Sequence, residues 1–341
     1  MKPDLTISLI NHSNPELLRD CLASLESATH ATSLDVRIVD NATDGRMVDE
    51  IRAQFPKTNW SMNRKRLGFS ANHNQILATG QGRYICILND DTILHDGAMD
   101  ELVRFMDAHP RVGMAGPRTL NPDGSIQNSV FRDKTPLSEL IEILQLPGKL
   151  NRLKVRGIDN AQFGDQAARV DWVLGACIIV RKETLQQIGL LDDLLSPIAQ
   201  VEEVDWCYRA RQAGWEIAFV PSAVITHLGG QSMKLDRPGA DPFRVEMHRS
   251  LLAYFAKHHG LLGSLTLRLI DIATLPWNGF MLAQSVLRGR SSKVEAASKW
   301  ATYLRIAAMA LKPLKRPFCR FESKVESSEQ PTGLAVSSAT K

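Results

Sequence analysis

The stretch that most constrains the fold runs from Arg83 to Thr92 and reads RYICILNDDT. Its apolar part, Tyr84–Leu88, is too short for a buried helix and is typical of a strand covered on both faces. The run stops at Asn89, Asp90 and Asp91, and carboxylates at the C-terminal end of such a strand lie where open α/β sheets bind ligands. Their oxygens suit Mg²⁺ or Mn²⁺, which commonly bridge a protein to substrate phosphates. A solvated turn after an ordinary strand is the simpler alternative, and this stretch alone favours it.

Strands and helices alternate along the first hundred residues, which predicts an α/β fold with a mostly parallel sheet. Strands are predicted at 5–10, 36–39, 84–88, 112–116, 170–181, 216–220 and 223–226. Helices are predicted from Pro15, which follows the favourable N-cap Asn14, and at 46–54, 97–108, 137–146, from 182 and from 201. Apart from the helix at 137–146, residues 117–170 show no regular pattern and predict an insertion.

The composition, 44% hydrophobic and 23% charged, is that of an ordinary globular protein. A formal net charge of +4 is too small to indicate a nucleic-acid partner, and we expect none. The five cysteines are widely spaced and form no CxxC pair, which indicates reduced, packed thiols. Neither an export signal nor 18 uninterrupted apolar residues are present in the sequence, so we expect a cytoplasmic protein.

The C-terminal third has a different character. Residues 261–287 are rich in Leu, Ile, Met and Trp, and the segment 286–324 then holds ten Lys or Arg against two Glu. Such a sequence suits a surface lying at an anionic membrane interface, on the inner face of the cytoplasmic membrane; a helical bundle with a solvated basic face is the alternative. The predicted organisation is an α/β domain at 1–240, a helical basic region at 241–320 and a disordered tail at 321–341.

Acidic or polar side chains recur at the ends of the predicted elements: Asp40, Asn89, Asp90, Asp91, Glu202, Glu203, Asp205 and His227. A sugar-nucleotide transferase needs these residue types. A carboxylate can accept a hydrogen bond from the imide N–H of uracil or thymine, and a cation neutralises the departing diphosphate. A general base takes the proton from the acceptor hydroxyl.

The order of the motifs resembles the inverting glycosyltransferases of family 2 with the GT-A fold, within them the rhamnosyltransferase-like group. The matching pieces, spread over residues 5–230, are TISLIN, IVDNATDG, RLGFSANHNQ, YICILNDDT, DWVLGACIIVRKETL, VEEVDWCYRARQAGWEIAFVP and AVITHLGG. The resemblance implies a Rossmann-like, mostly parallel sheet flanked by helices, with a helical C-terminal extension. It also implies a nucleotide-diphosphate sugar donor, Mg²⁺ or Mn²⁺, and transfer with inversion. We expect rhamnose from dTDP-rhamnose as donor, and a glycan or lipid-linked acceptor in cell-envelope glycan synthesis.

The resemblance also implies where the metal binds. Asp91 matches the last acid of the family's metal motif, and His227 matches a histidine that can complete the metal shell. Asn89 stands where that motif often has an acid, and a neutral amide is a weaker cation ligand. Asp90 occupies a commonly non-ligating position. A lone histidine at a strand end is otherwise simply packed or hydrogen-bonded.

Eight residues are expected to bind the nucleotide sugar: Asn11, Asp40, Asn41, Gly68, Asn89, Asp90, Trp172 and Gly175. By resemblance, Asp40 would contact the base and Gly68 would allow close backbone approach to the donor. The alternatives are that Asp40 caps the following turn and that Gly68 is an ordinary turn glycine. Trp172 either stacks on a sugar or packs in the core.

The candidate bases are Glu203 and Glu202. Glu203 falls where the family has its general base, commonly an Asp after a Glu, so the longer side chain is a departure. Two adjacent carboxylates raise one pKa, and neighbours on a helix point about 100° apart, so at most one faces the acceptor and we favour Glu203. Asp205 and Arg209, four residues apart, predict an ion pair on the helix surface.

A second function stays open at this point. The set of Asp91, Glu203 and His227 favours turnover. Asn89 in the metal motif and the glutamate in place of aspartate leave room for a catalytically silent nucleotide-sugar-binding subunit of a polysaccharide assembly machine. Turnover and metal-dependent donor binding distinguish the two.

Overall fold

The structure is a computed structural model that describes residues 2–12, 14–41, 48–144, 163–195, 201–229 and 241–312. Its strands are β1 (Leu5–Asn11), β2 (Leu34–Asp40), β3 (Asn59–Met62), β4 (Tyr84–Leu88), β5 (Thr92–Leu94), β6 (Val112–Leu120), β7 (Ile126–Gln127), β8 (Val130–Phe131), β9 (Ala168–Val170), β10 (Trp172–Val173), β11 (Cys177–Arg181) and β12 (Glu216–His227). Its helices are α1 (Pro15–Ser27), α2 (Val48–Gln54), α3 (Phe69–Leu77), α4 (Ala98–Ala108), α5 (Pro136–Leu144), α6 (Lys182–Ile188), α7 (Glu202–Gln212), α8 (Pro242–His258), α9 (Gly260–Ala273), α10 (Leu275–Leu287) and α11 (Lys293–Ala310).

One large sheet organises the molecule, with its strands in the order β3-β2-β1-β4-β11-β6-β12-β5. The strands β3, β2, β1 and β4 are parallel to one another. The next strand, β11, is antiparallel to both β4 and β6, and β12 is parallel to β6. The strand direction reverses from β4 to β11 and again from β11 to β6, so β6 and β12 run in the same direction as β4. The predicted α/β fold is confirmed, and the carboxyl ends of β1, β2, β4 and β12 lie at one edge of the sheet.

The apolar run in β4 is buried from both sides because it separates two cores. Tyr84, Cys86 and Leu88 face the core that β1, α1 and α4 share. Ile85 and Ile87 face the second core, to which α7 and α8 contribute. Since alternate residues of a strand point to opposite faces, a strand between two cores must be apolar at every position. The chain can place polar groups only where the strand ends.

Several elements differ from the predicted ones. The two strands predicted at 216–220 and 223–226 are one strand, β12, whose register against β6 shifts between Val220 and Val224. Pro221 lies in this interval and has no N–H for a ladder hydrogen bond, which accounts for the irregularity. The strand predicted at 170–181 is divided into β10 and β11, separated by a turn at 174–176. The short strands β3 and β5 carry too few residues to produce a periodic signal.

The region at 117–170 is more regular than predicted where it is described. Strand β6 continues to Leu120, and β7, β8 and α5 follow. Some predictions lie outside the described residues: the end of the helix at 137–146, the start of the helix at 46–54, residues 313–320 and the tail at 321–341. None of the described helices is long and apolar enough to cross a bilayer.

Helix α8 packs closely against the α/β part of the chain. Leu251, Leu252 and Phe255 are buried in the second core, together with Trp206 of α7. Helices α8 and α7 therefore share a hydrophobic core, and this packing helps to fix the position of α7.

A buried ionic network joins the same two helices. Asp205 accepts a hydrogen bond of 2.8 Å from Nε of Arg209, and its Oδ1 lies 2.7 Å from Nζ of Lys257 and 2.6 Å from Nε2 of His258. Lys257 also donates to Asp192 over 2.7 Å. Burial alone would raise the pKa of Asp205, but the charge of Arg209 and the hydrogen bonds from His258 and Lys257 hold it well below its usual range. The predicted Asp205–Arg209 pair is present, but the prediction of a surface position was wrong.

We expect Asp205→Asn to lower the free energy of unfolding by about 3 kcal/mol, because it leaves buried cations without their counter-charge. The depressed folded-state pKa means that the stabilisation is complete at neutral pH and is lost as the pH falls through the acidic range. Urea unfolding at several pH values measures both effects. Glu295→Gln removes an exposed carboxylate paired with Lys299 and should change little. Equal stability of wild type and Asp205→Asn would contradict this account.

Candidate functional site

The end of β4 and the end of β12 bring Asp91 and His227 together. His227 pairs with Thr92 in the β12–β5 ladder, and the Leu228 N–H donates to the Asp91 carbonyl over 2.9 Å. The side chains converge as well, since Nε2 of His227 lies 3.3 Å from Oδ1 of Asp91. Both side chains are largely buried. Two residues 136 positions apart in the sequence thus meet at the polar edge of the sheet.

Gln127 orients the His227 ring. Its Oε1 lies 2.8 Å from Nδ1 of His227, and because an amide oxygen can only accept, Nδ1 must carry the proton. Nε2 is then the ring nitrogen that faces Asp91. An outer hydrogen bond of this kind is the usual way in which proteins orient a metal-ligating histidine. No local pattern points to Gln127, which lies on a two-residue strand 100 positions from His227.

The Asp91–His227 pair fits a cation that completes its shell from a substrate. Two ligands that bind one octahedral ion at right angles, each at ~2.1 Å, lie about 3.0 Å apart. The observed 3.3 Å is close to that spacing. Among the described residues, no group of three or more His, Cys, Asp or Glu side chains forms a ligand cage. Two protein ligands nevertheless suffice for an ion whose other positions are filled by phosphate oxygens and water.

Asp90 and Asn89 complete the turn after β4. Burial, followed by the charge of Asp91, raises the pKa of Asp90 to about 7, while a hydrogen bond from the His12 backbone opposes the shift. The backbone of Asn89 is held to the Ala176 carbonyl over 2.9 Å. The turn is therefore fixed to β1 on one side and to the loop before β11 on the other.

At the ends of β1 and β2, Asn11 and Asp40 form a buried pair. Nδ2 of Asn11 donates to Oδ1 of Asp40 over 2.8 Å, and the two residues are direct neighbours in the parallel ladder. Oδ1 of Asn11 has no hydrogen-bond partner within the described part of the chain. The pair places a carboxylate and an amide oxygen, both acceptors, at the sheet edge that also holds Asp91.

Asn41 fixes the loop in front of α3. Its Nδ2 donates to the Leu67 carbonyl over 3.0 Å, and its Oδ1 accepts from the Leu67 N–H over 2.9 Å. Gly68 follows as the N-cap of α3, with φ −74° and ψ 169°, a conformation open to any residue. Its carbonyl accepts from both the backbone N–H and the side chain of Asn72. These contacts make Asn41 a positioning residue and give Gly68 no conformational reason to be glycine.

Glu203 lies in the first turn of α7, buried, with Oε2 lacking a hydrogen-bond partner among the described residues. Burial, and then the charge of Glu202, raises its pKa to about 8; the Gly175 N–H and the charge of Lys134 oppose the shift. Gly175 is close enough that an added Cβ would lie 3.7 Å from the Glu203 carboxyl carbon. An inward carboxyl with an unused oxygen and a raised pKa has the properties of a general base.

Glu202 has a different environment, although it is equally buried. Its Oε2 accepts a hydrogen bond of 3.0 Å from the Val201 N–H, at the start of α7. A carboxylate at a helix N-terminus is stabilised by the unpaired N–H groups and by the helix dipole. This capping contact separates the roles of the two neighbouring glutamates.

Trp172 packs as a core residue. Its indole stacks on Phe131 with ring centroids 3.9 Å apart, and its Nε1–H donates to the Arg132 carbonyl over 2.8 Å. Only 8% of the residue is exposed. Of the two alternatives for Trp172, this structure shows packing.

The comparisons with known proteins agree with this arrangement. Residues 3–237 match the family described as "Glycosyltransferase like family 2". The chain is 24% identical over 315 residues to the N-acetylglucosaminyl-diphospho-decaprenol L-rhamnosyltransferase of Mycobacterium tuberculosis. This alignment covers 85% of the chain and 97% of that relative. It is also 23% identical over 248 residues to the O-antigen biosynthesis protein RfbC of Myxococcus xanthus, in an alignment that covers 70% of the chain and 18% of that relative.

Two solved structures share the fold. One is the mannosyltransferase PcManGT from Pyrobaculum calidifontis in complex with GDP-Man and Mn²⁺, with a TM-score of 0.51 and 15% identity over 91% of this chain and 87% of that one. The other is GalNAc-T7 with UDP, GalNAc and Mn²⁺, with a TM-score of 0.54 and 15% identity over 76% of this chain and 51% of that one. At this identity the likeness concerns the fold, and it confirms the predicted GT-A architecture.

Proposed function

The chain belongs to the glycosyltransferase like family 2, and we propose that it moves a hexose from a nucleotide diphosphate to an acceptor hydroxyl with inversion. The observation that carries the proposal is the convergence of Asp91 and His227 beside the Asn11–Asp40 pair, at one edge of the sheet. Rhamnose from dTDP-rhamnose is the proposed donor, since the relative that this chain matches over most of its length is named as an L-rhamnosyltransferase.

Asp91 and His227 would hold a divalent cation, Mg²⁺ or Mn²⁺. Both solved structures named above contain Mn²⁺, which supports a divalent ion here. When bound, the ion neutralises charge on the departing diphosphate. Gln127 keeps the His227 ring oriented, and Asp90, which is fixed in the same turn, would lie against the nucleotide sugar.

On the nucleotide side, Asp40 would accept the imide N–H of the base. Asn11 holds Oδ1 of Asp40 and so fixes the direction of the carboxylate. Asn41 holds the loop before α3 against the end of β2, where both would line the nucleotide pocket.

On the acceptor side, Glu203 would take the proton from the attacking hydroxyl. In an inverting transfer the hydroxyl attacks the anomeric carbon from the face opposite to the leaving diphosphate. The base must then lie across the donor from the cation. Glu203 approaches from α7 and the Gly175 turn, whereas Asp91 and His227 belong to β4 and β12. A carboxylate that has lost its water by burial is a stronger base, so its raised pKa matches the task.

The proposed acceptor is a lipid-linked glycan of the cell envelope, because the relative's name specifies a diphospho-decaprenol substrate. Helices α9 and α10 support a position on the cytoplasmic face of an anionic membrane. Large apolar side chains are exposed on both helices: Leu261, Leu262, Leu265, Leu269, Ile272, Phe280 and Leu287. Those of α9 recur with helical spacing and form one stripe. Lys293 and Arg305 are exposed on α11 and would meet anionic headgroups.

We expect Asp91→Asn to lose the Mn²⁺-dependent thermal stabilisation by dTDP-rhamnose that the wild type should show, since a ligand of the native state raises its melting temperature. The fold should survive, because the amide has the same shape as the carboxylate. Asp49→Asn, at a largely exposed carboxylate of α2, is the matched control. An unchanged Mn²⁺-dependent shift in Asp91→Asn would refute the metal assignment. No shift in the folded wild type with dTDP-rhamnose, UDP-glucose, UDP-galactose or GDP-mannose would contradict the proposed donor class. A donor-induced shift without turnover would favour the silent-subunit alternative.

Glu203→Gln should keep the donor-induced thermal shift and lose at least about 100-fold in turnover, the usual contribution of a general base. In the wild type, kcat should rise with pH, reach half its maximum near pH 8 and level off about one pH unit higher. Only the ionised carboxylate accepts a proton, and burial raises the pKa of Glu203 to about 8. The ionisable groups acting on it are Glu202, Lys134 and Cys207. Glu202→Gln is the control and should retain turnover. A loss confined to Glu202→Gln would move the role to that residue.

If α9 contacts the membrane, the double variant Leu265→Gln with Leu269→Gln should bind phosphatidylglycerol vesicles at least tenfold more weakly than the wild type. Burying each leucine contributes on the order of 1.5–3 kcal/mol, and tenfold corresponds to about 1.4 kcal/mol. Met62→Gln with Ile126→Gln removes two exposed apolar side chains of the catalytic part and serves as the control. Flotation of the intact protein measures both. Equal binding by all three proteins would exclude α9 as the contact.

A further inference from the structure

A cavity of about 310 Å³ lies among the C-terminal helices, away from the residues discussed so far. Helix α5 contributes Ile143 to its wall, α8 contributes Arg244, and α11 contributes Lys299 and Tyr303. The remaining wall comes from α10 and from the turn that follows it. No residue assigned above to donor, cation or base lines this cavity.

The cavity is strongly cationic. Arg244, Arg288, Arg290 and Lys299 line it, and its described lining includes no aspartate or glutamate. Arg244 and Lys299 have carboxylate neighbours, but these belong to residues outside the lining. Arg288 and Arg290 form no salt bridge with any carboxylate in the described ranges, so their charge is available to a ligand. Neutral hydrogen-bonding groups complete the wall, including the buried Asn278.

The turn between α10 and α11 holds the two arginines in place. Gly289 lies between them with φ +66°, a left-handed conformation that glycine adopts without strain. The Arg290 N–H donates to the Ser285 carbonyl over 2.9 Å, and the hydroxyls of Ser285 and Ser291 are hydrogen-bonded over 2.9 Å. A turn closed by these contacts presents both guanidinium groups to one space, which favours bidentate binding of phosphate oxygens.

Helix α5 connects the cavity with the acceptor side of the proposed active site. Lys134, just before α5, lies close enough to Glu203 to lower its pKa, although burial keeps that pKa high. Ile143, near the end of α5, belongs to the cavity wall. A helix of this length spans about 13 Å. The cavity therefore lies about one helix length from Lys134, the neighbour of the proposed base Glu203.

We propose that this cavity binds the diphosphate of a lipid-linked acceptor. The proposal rests on the proposed function and names the feature of the acceptor that the C-terminal helices recognise. A diphosphate diester carries two negative charges, whereas a phosphatidylglycerol headgroup carries one, and four cations around one cavity suit the doubly charged group. The exposed apolar faces of α9 and α10 would accompany the lipid chain at the membrane surface.

Farnesyl diphosphate is a soluble probe that carries a diphosphate on a polyprenyl chain, although as a monoester it has one more ionisable oxygen than the diester. Its binding to the intact protein can be measured by titration calorimetry. The double variant Arg288→Gln with Arg290→Gln should bind farnesyl diphosphate at least tenfold more weakly than the wild type. Lys293→Gln with Arg305→Gln removes the same charge from exposed positions of α11 outside the cavity and should change it less than twofold. Inorganic pyrophosphate should follow the same ranking with weaker affinity. Vesicles of phosphatidylglycerol should bind the cavity variant at least as well as the α11 variant, because the exposed residues of α11 face the headgroups.

Equal loss of farnesyl diphosphate binding in both double variants would overturn the proposal, since it would show a general charge effect. No binding to the wild type would overturn it too. Greater loss of vesicle binding than of farnesyl diphosphate binding in the cavity variant would assign the cavity to phospholipid headgroups instead. The thermal shift with donor and Mn²⁺ serves as a separate readout and should be the same in all three proteins. Its absence from the wild type would count against the proposed function, whatever the cavity binds.

Discussion

The structure depends on β4 and β12 running in the same direction within a mixed sheet. Strand β11 is antiparallel to both of its neighbours, and this double reversal brings the carboxyl end of β12 to the edge where β4 ends. Asp91 and His227 therefore meet, with 3.3 Å between Oδ1 and Nε2. Strand β4 is apolar at every position because it separates two cores, so its acidic residues can come only after it ends, at this edge.

Two pairs of adjacent carboxylates show how burial assigns different roles to identical groups. The pKa of Asp90 and that of Glu203 are raised mainly by desolvation and secondly by the charge of the neighbouring carboxylate, Asp91 or Glu202. Glu202 relieves its burial by accepting the Val201 N–H, while Glu203 keeps one oxygen without a partner in the described residues. The helix that carries both is fixed by α8 through Asp205, which links the C-terminal helices to the geometry of the site.

The strand at 84–88 and its acidic end could be predicted because an apolar run that stops abruptly is a local signal. The α/β fold followed from the alternation of elements, and the order of the motifs gave the family. Long-range contacts gave no such signal. The orientation of His227 depends on Gln127, and the burial of Asp205 depends on Lys257, which lies 52 positions further on. An i, i+4 pair has the same sequence pattern on a surface and in a core, so its burial could not be predicted.

The most direct test is a crystal structure of the protein with dTDP and Mn²⁺, with the ion located by its anomalous scattering. We predict one Mn²⁺ bonded to the Asp91 carboxylate, to Nε2 of His227 and to the diphosphate, with the thymine imide facing Asp40. A diphosphate bound elsewhere, or an ion that contacts neither Asp91 nor His227, would contradict the central claim that the shared edge of β4 and β12 is the donor site.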